Sequence, residues 1–361
     1  MSTRNWIGAV CFSLLLQGGN ALADDPIAFE ERSDTPAWSF YGDVLLRAER
    51  TVDIPGRPQD LERVRSRTRF GVRREFDDFE FGAALEGTLG SDSNQTNRAN
   101  NDNERSDSIN LDELYLRWRG GESTSVVLGK TAFPLATTPL LWDDDFRPLG
   151  ISASHSIALG EIHRLSLVGG YFAGDHLYDD ESRIAAAQIG WHWSENAEVS
   201  GDVQLAWLDF SDLQTLVDRG LGRTNRRVAG KLVSDYEILD LQFGLRALIG
   251  DALWRGRLDL VRNMGADQNS DGARFSTIYG DSRIAGGLEL GFAIQRFQRD
   301  AVLAAFTSDD WWFHSFARGC MPWIAYGISD KWRVQLSGFR EKRDGIVEPT
   351  DRLLLDVRAA W

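Results

Sequence analysis

Apolar and polar residues alternate along most of this chain with a period of two, the spacing of a strand whose faces meet unlike surroundings. Trp38, Phe40, Val44 and Leu46 share one parity, and Ser39, Tyr41, Asp43 and Arg47 share the other. Phe79, Phe81, Ala83 and Leu85 alternate with Glu80 and Glu86, and Leu114, Leu116 and Trp118 with Glu113, Arg117 and Arg119. The habit recurs to the end of the chain, where Leu239, Leu241 and Phe243 oppose Asp240, Gln242 and Arg246, and Trp254, Leu258 and Leu260 oppose Arg255, Arg257 and Asp259. Helical patterning is almost absent.

The pattern predicts strands over roughly 38–50, 61–74, 77–90, 109–119, 123–131, 151–159, 162–173 and 183–193. It continues through 197–209, 224–235, 238–249, 252–262, 282–296, 315–328, 331–342 and 351–361. Short polar connections such as Glu75–Asp78, Gly120–Ser123 and Ser329–Lys331 alternate with long ones such as Ser91–Ser108, Thr131–Gly150, Ser211–Arg223 and Arg343–Asp351. Short turns on one rim and long loops on the other define an up-and-down transmembrane β-barrel, whereas a soluble sandwich gives no reason for the asymmetry. The fold expected is therefore all-β, an antiparallel barrel of about 16 strands, with 14 and 18 as neighbouring counts. One inconsistency remains in the count: Asn263–Asp281 is long and polar but falls on the short-turn side. Even at 14 strands the interior is too wide for side chains alone to fill, so a watery channel is expected, with Thr131–Gly150 as the constriction.

The N-terminus changes the picture next. Arg4, an apolar run from Trp6 to Leu16 and Ala21-Leu22-Ala23 make a secretory signal over residues 1–23. The run is shorter than the roughly 20 residues a membrane-spanning helix needs. Residues 24–37 follow as a short periplasmic extension, and 38–361 as the barrel. Only Cys320 remains beyond the signal, so no intrachain disulfide or cysteine metal cluster is expected. The formal net charge of −14 argues against nucleic acid as a partner.

Against that acidic background one stretch concentrates arginine: Arg63, Arg65, Arg67, Arg69 and Arg73, all of one parity, with Val64, Phe70 and Val72 on the other. Facing lipid, each arginine would cost roughly 2–4 kcal/mol near the midplane. The row must face the lumen, where water is expected to solvate it. Asp43, Glu49, Glu80 and Glu86 share that face, so the row reads either as a bracing ion-pair lattice or as a track for anionic solutes. Arg117, Arg246, Arg255 and Arg257, together with Arg227 and Lys231, are further inward bases that favour the track.

The final strand ends on Trp361, which resembles the C-terminal strand that outer-membrane barrels present to the assembly machinery. Leu128-Gly129-Lys130, Phe133-Pro134 and Leu141-Trp142-Asp143-Asp144-Asp145-Phe146-Arg147-Pro148-Leu149-Gly150 resemble the strand-plus-loop signature of Gram-negative porins, and Leu111–Trp118 has the same character. The whole is similar to the alginate-export type of barrel. The resemblance implies an outer-membrane channel with Trp142, Asp143, Asp144, Asp145 and Arg147 folded into the pore. It implies outer-membrane lipid and lipopolysaccharide as surroundings and small anionic solutes as cargo. The alternative cargo is an acidic polysaccharide or oligosaccharide such as alginate.

Other chemistry is weak. Asp267–Gly272 opens like a calcium loop, but its twelfth position is Ile278 where a bidentate Glu is required. Asp143–Asp145 reads as a solvated acidic loop rather than a calcium site. His155-Ser156 and His314-Ser315 cannot pair within one strand, because neighbours point to opposite faces. Trp311-Trp312-Phe313 is expected in an interfacial aromatic girdle, with a sugar-stacking platform as the alternative. No enzyme, metal or cofactor is expected.

Overall fold

The computed structural model describes residues 38–92, 103, 106–174, 181–195 and 198–361. The expected signal and extension over 1–37 lie outside the described residues. The wall begins with β1 (Trp38–Val52), β2 (Leu61–Phe76), β3 (Phe79–Gly90), β4 (Ser108–Arg119) and β5 (Thr124–Lys130). It continues with β6 (Leu149–Ala158), β7 (His163–Ala173), β8 (Arg183–Ser194) and β9 (Val199–Ser211). A short helix, α1 (Gln214–Asp218), and a hairpin of β10 (Arg227–Val228) and β11 (Lys231–Leu232) interrupt it. The wall resumes with β12 (Tyr236–Ile249), β13 (Ala252–Asn263), β14 (Asp271–Gly280) and β15 (Leu288–Phe297). It ends with β16 (Ala317–Gly327), β17 (Trp332–Arg343) and β18 (Thr350–Ala360).

Sixteen strands, all but β10 and β11, form one closed antiparallel barrel in which β18 pairs with β1. The seam runs from Asp43 opposite Ala360 to Val52 opposite Asp351. Trp361 extends it, exchanging backbone hydrogen bonds with Gly42 at 3.1 and 3.0 Å. Closure removes every free edge of the wall, the requirement for crossing a bilayer with sheet.

The expected total of 16 was reached through two compensating errors. Residues 224–235 are not wall; they hold only the small hairpin inside the loop between β9 and β12. Arg227 and Lys231 therefore leave the set of inward wall bases. The supposed loop 263–281 contains β14, paired with β13 and β15. Its outward face mixes Phe275 and Tyr279 with Thr277, and Ile278 points inward against the wall, so alternation is blurred there. With β14 in place, the long connections 131–148, 212–235 and 298–316 all fall on one rim, read as extracellular, and none of the connections on the other rim is longer than the seven residues of 281–287.

The faces follow the energetics of lipid. Val64 and Phe70 are exposed on the outside, while Arg63, Arg65, Arg67 and Arg69 point inward and are each under a tenth exposed. The interior is not water throughout. Loop 131–148 contributes Leu135, Leu140, Leu141, Trp142 and Phe146, and loop 298–316 contributes Val302, Leu303 and Phe306, to one buried cluster. The extracellular ends of β7, β8, β9 and β12 supply Phe172, Ile184, Phe210, Tyr236 and Ile238 to the same cluster. Trp142 is stacked between Phe133 at 4.1 Å and Phe306 at 5.4 Å. Each large side chain buried there contributes about 1.5–3 kcal/mol, ample to hold two loops inside the barrel.

Trp311-Trp312-Phe313 belongs to this interior and not to a girdle. All three are buried, the Trp312 and Phe313 amides donate to the Glu341 carboxylate at 2.8 and 3.1 Å, and Trp311 packs edge-on against Phe339. A sugar could not stack on them.

Candidate pore constriction

On β2 the alternation of strand side chains sends the arginines into the lumen, and β1 and β3 set carboxylates beside them. Register places Arg63 opposite Glu49, Arg69 opposite Asp43 and Arg69 opposite Glu86. Glu49 is the first node. It accepts from Arg63 at 2.9 Å, from Arg65 at 3.3 Å and from Arg352 of β18 at 2.7 Å. One carboxylate thus ties three strands across the closure seam. Arg47 on β1 makes a bidentate pair with Asp356 at 2.7 and 2.8 Å and also meets Asp310 of loop 298–316.

Removing one member of a buried ion-pair set strands the others, at about 3–5 kcal/mol. Glu49→Ala leaves three guanidiniums around an empty position. The temperature at which the folded barrel converts to the unfolded gel species should fall markedly, while Glu62→Ala, on the exposed outer face of β2, leaves it unchanged.

The second node joins the wall to the inward loop. Asp145 accepts from Arg67 and, at 3.2 Å, from Arg69; Arg69 also donates to Glu86 at 3.0 Å and lies 3.4 Å from Asp112. Arg147 lies between Asp112 and Glu113. The other end of the loop is fastened across the lumen. Gln188 clasps Ala136, donating to its carbonyl at 2.8 Å and accepting from its amide at 2.9 Å. Gln242 donates to the same carbonyl at 3.0 Å, and the Thr138 hydroxyl donates to Asp259. Loop 131–148 therefore spans the lumen from β8, β12 and β13 to β2.

Asp143–Asp145 is not a solvated acidic cluster. Only Asp144 is exposed. Asp143 accepts from the Asn103 side-chain amide at 2.6 Å and from the Asp309 backbone amide at 3.2 Å, stitching the two inward loops together. Burial pushes the Asp145 carboxyl up, but Arg67, Arg69 and Arg147 outweigh it and hold it far below the usual carboxylate range. Burial, then Asp309 and Asp145 beside it, push Asp143 well above that range.

The signs decide the pH response. Asp145 supplies stability above the ordinary carboxylate pKa of about 3.9 and loses it only as pH falls through its depressed value. Asp143 favours the packed loop more as pH falls. Conductance at pH 5 should therefore be no higher than at pH 7; a several-fold rise on mild acidification would contradict this reading of the loop.

The gap in the arginine row has a steric cause. A β-carbon at Gly71 would overlap the Tyr41 ring, which lies across it and carries the Arg73 guanidinium 4.3 Å from its centroid. Gly82 makes the same room for Tyr115. The two hydroxyls donate to Glu113 at 2.6 Å and to Glu80 at 2.7 Å. Glu80 also accepts from Arg117 and Arg119.

On the far wall Arg257 pairs with Asp202 at 3.0 Å and Arg255 with Glu289 at 3.4 Å. Arg246 stands directly opposite Arg255 in register, hence on the same inward face, but near the short-turn rim and exposed. The structure thus brings Arg63, Arg65, Arg67, Arg69, Asp145 and Arg147 together and leaves Arg73, Arg117, Arg246, Arg255 and Arg257 distributed along the lower lumen. Carboxylates, more than water, neutralise the row. Among the described residues Arg73 and Arg246 have no ion pair. Sequence reasoning missed Arg47, Arg352, Asp310 and Asn103, whose partners lie far off along the chain. It also missed the loop 298–316 plug, although Ala301–Phe306 is an apolar run without alternation inside a loop.

A closed 16-stranded barrel with short turns on one rim and a loop drawn across the lumen onto an arginine wall defines a channel of the bacterial outer membrane. The model of the family described as "Putative porin" matches residues 36–238, more than half of the chain, and the protein belongs to that family. No curated protein matches the sequence as a relative. Among solved structures, OprB of Pseudomonas putida superposes with a TM-score of 0.60 at 11% identity, covering 90% of this chain and 94% of that one. OmpT, an outer membrane protein of Vibrio cholerae, in a form lacking loop L8, gives 0.53 at 12% identity, covering 91% and 100%. A triple mutant of Rhodopseudomonas blastica porin gives 0.52 at 15%, covering 90% and 100%. At these identities the likeness is one of fold.

Proposed function

We propose that this porin passes small hydrophilic solutes with a preference for anions, along the arginine side of the lumen. The supporting observation is the uneven pairing of the wall. The lattice around Glu49 and Asp145 is balanced and braces the barrel, whereas below it Arg73 and Arg246 face the lumen with no ion pair among the described residues. Cations outside ion pairs raise the local concentration of anions in a narrow, low-dielectric passage, Arg246 more than Arg73, which has Glu80 and Glu113 near it. Weak contacts suit conduction, because a deep well holds a solute instead of releasing it.

The same row, stepping about 6.6–6.8 Å per arginine, would also serve a uronate oligomer such as alginate. The apolar packing of loops 131–148 and 298–316 favours the small solute, since a polymer would need both loops displaced. Swelling of liposomes carrying the protein should be faster with a small organic anion than with a cation of equal size. Equal rates would remove the preference, and block of the current by uronate oligomers at low concentration would favour the oligosaccharide.

A further inference from the structure

We propose that the extracellular face carries a binding site for a phosphorylated sugar, distinct from the arginine row on β2. A cavity of about 570 Å³ is lined by Arg223, Arg226, Arg227, Arg299 and Arg343, with Thr224 beside them and no carboxylate in its lining. Five arginines lining one cavity stand out on a chain of net charge −14. Among the described residues Arg226, Arg227, Arg299 and Arg343 make no ion pair, in contrast to the neutralised row on β2.

The cavity is built rather than incidental. Buried Asn225 donates to the carbonyls of Arg299 and Val302, both at 2.9 Å, and accepts from the Ala304 amide at 2.8 Å. This pins loop 212–235 across the barrel onto loop 298–316. Thr224 and Ser315 share a 2.7 Å hydrogen bond, and Ser315 donates to the Arg299 carbonyl at 2.9 Å. The Arg299 guanidinium is held 3.9 Å over the Phe316 ring, which fixes its plane. Asp300, a carboxylate of loop 298–316, is buried and engaged, accepting from the Arg226 amide and from Tyr236. Arg223 is held by the surrounding loops, donating to the Ala304 carbonyl at 3.0 Å and to Asn103, with His314 Nδ1 at 2.9 Å.

The chemistry selects the ligand class. Guanidinium forks match phosphate and carboxylate oxygens, and a phosphate offers three oxygens to several forks at once where a carboxylate offers two. The volume lies in the range of small-molecule sites. Sugar phosphates reach this face from two sources: a free solute, or the headgroup of lipopolysaccharide in the outer leaflet. The shared chemistry is the phosphorylated sugar, and the experiment separates the sources.

Purified protein in detergent is titrated calorimetrically with glucose 6-phosphate, with glucose, and with lipopolysaccharide. The same series is run on Arg226→Glu with Arg227→Glu, both exposed loop positions, with heat-modifiable gel mobility as the folding control. Binding of glucose 6-phosphate but not glucose, weakened at least about tenfold by the double variant and by added salt, supports the site and assigns the free solute. Binding of lipopolysaccharide alone, weakened in the same way, supports the site and assigns the lipid. No binding of either probe, or equal binding by the folded double variant, overturns it.

Discussion

Deleting Pro139–Phe146 should raise single-channel conductance by about twofold or more while the barrel stays folded. The removed segment carries Leu140, Leu141, Trp142 and Phe146, most of the loop's share of the apolar packing, and Asp145, its contact with Arg67 and Arg69. The deletion is tolerable because Lys130 and Leu149 are already paired across β5 and β6, so residues 131–138 and 147–148 need only close a hairpin. The 16-stranded ladder does not depend on the loop. Phe172, Phe210 and Tyr236 would meet water, a cost of roughly 25 cal/mol per Å² of apolar surface, but they lie on strands held by their neighbours. Unchanged conductance in a folded variant would mean that loop 298–316 alone sets the opening.

The second large effect concerns charge. Arg67→Gln with Arg69→Gln should carry the reversal potential in a salt gradient toward the cation side. Asp43 and Glu86 would then face the lumen without their cations, while Asp112 and Asp145 would keep Arg147 beside them, and this excess of carboxylates is a cation-attracting wall. Gln keeps length and hydrogen bonding, so packing changes least. Charge reversal, as in Arg65→Glu with Arg67→Glu, is the poorer test. Arg65 lies against Glu49, and Arg67 near Asp43, Glu86 and Asp145, so new carboxylates would be placed among buried ones without water to solvate them. That variant should unfold at lower temperature before it reports on selectivity. A folded Gln pair with wild-type selectivity would reduce Arg67 and Arg69 to braces.

Lipid made the wall legible. A residue such as Phe70 must face out and Arg69 must face in, because the alternative costs several kcal/mol at each position, so parity alone orients the strands. The same logic failed where the contrast is weak: β14 puts Thr277 outward and Ile278 inward, while Val228 and Val233 lend an extramembrane hairpin the look of a strand. The arginine row could be read as inward, but its partners could not. Glu49 and Arg352 meet only because β18 closes on β1, and Asp145 reaches β2 only because loop 131–148 crosses the lumen. Packing between loops has no period, so nothing in the alternation announced that Trp142 and Phe306 would stack.

A passage narrowed by an inward loop and set by arginine is tested most directly by the reversal potential of the purified wild-type protein in a planar bilayer under a salt gradient. The expected result is discrete conductance steps with a reversal potential on the anion side. A reversal potential on the cation side, or no steps at all, would contradict it.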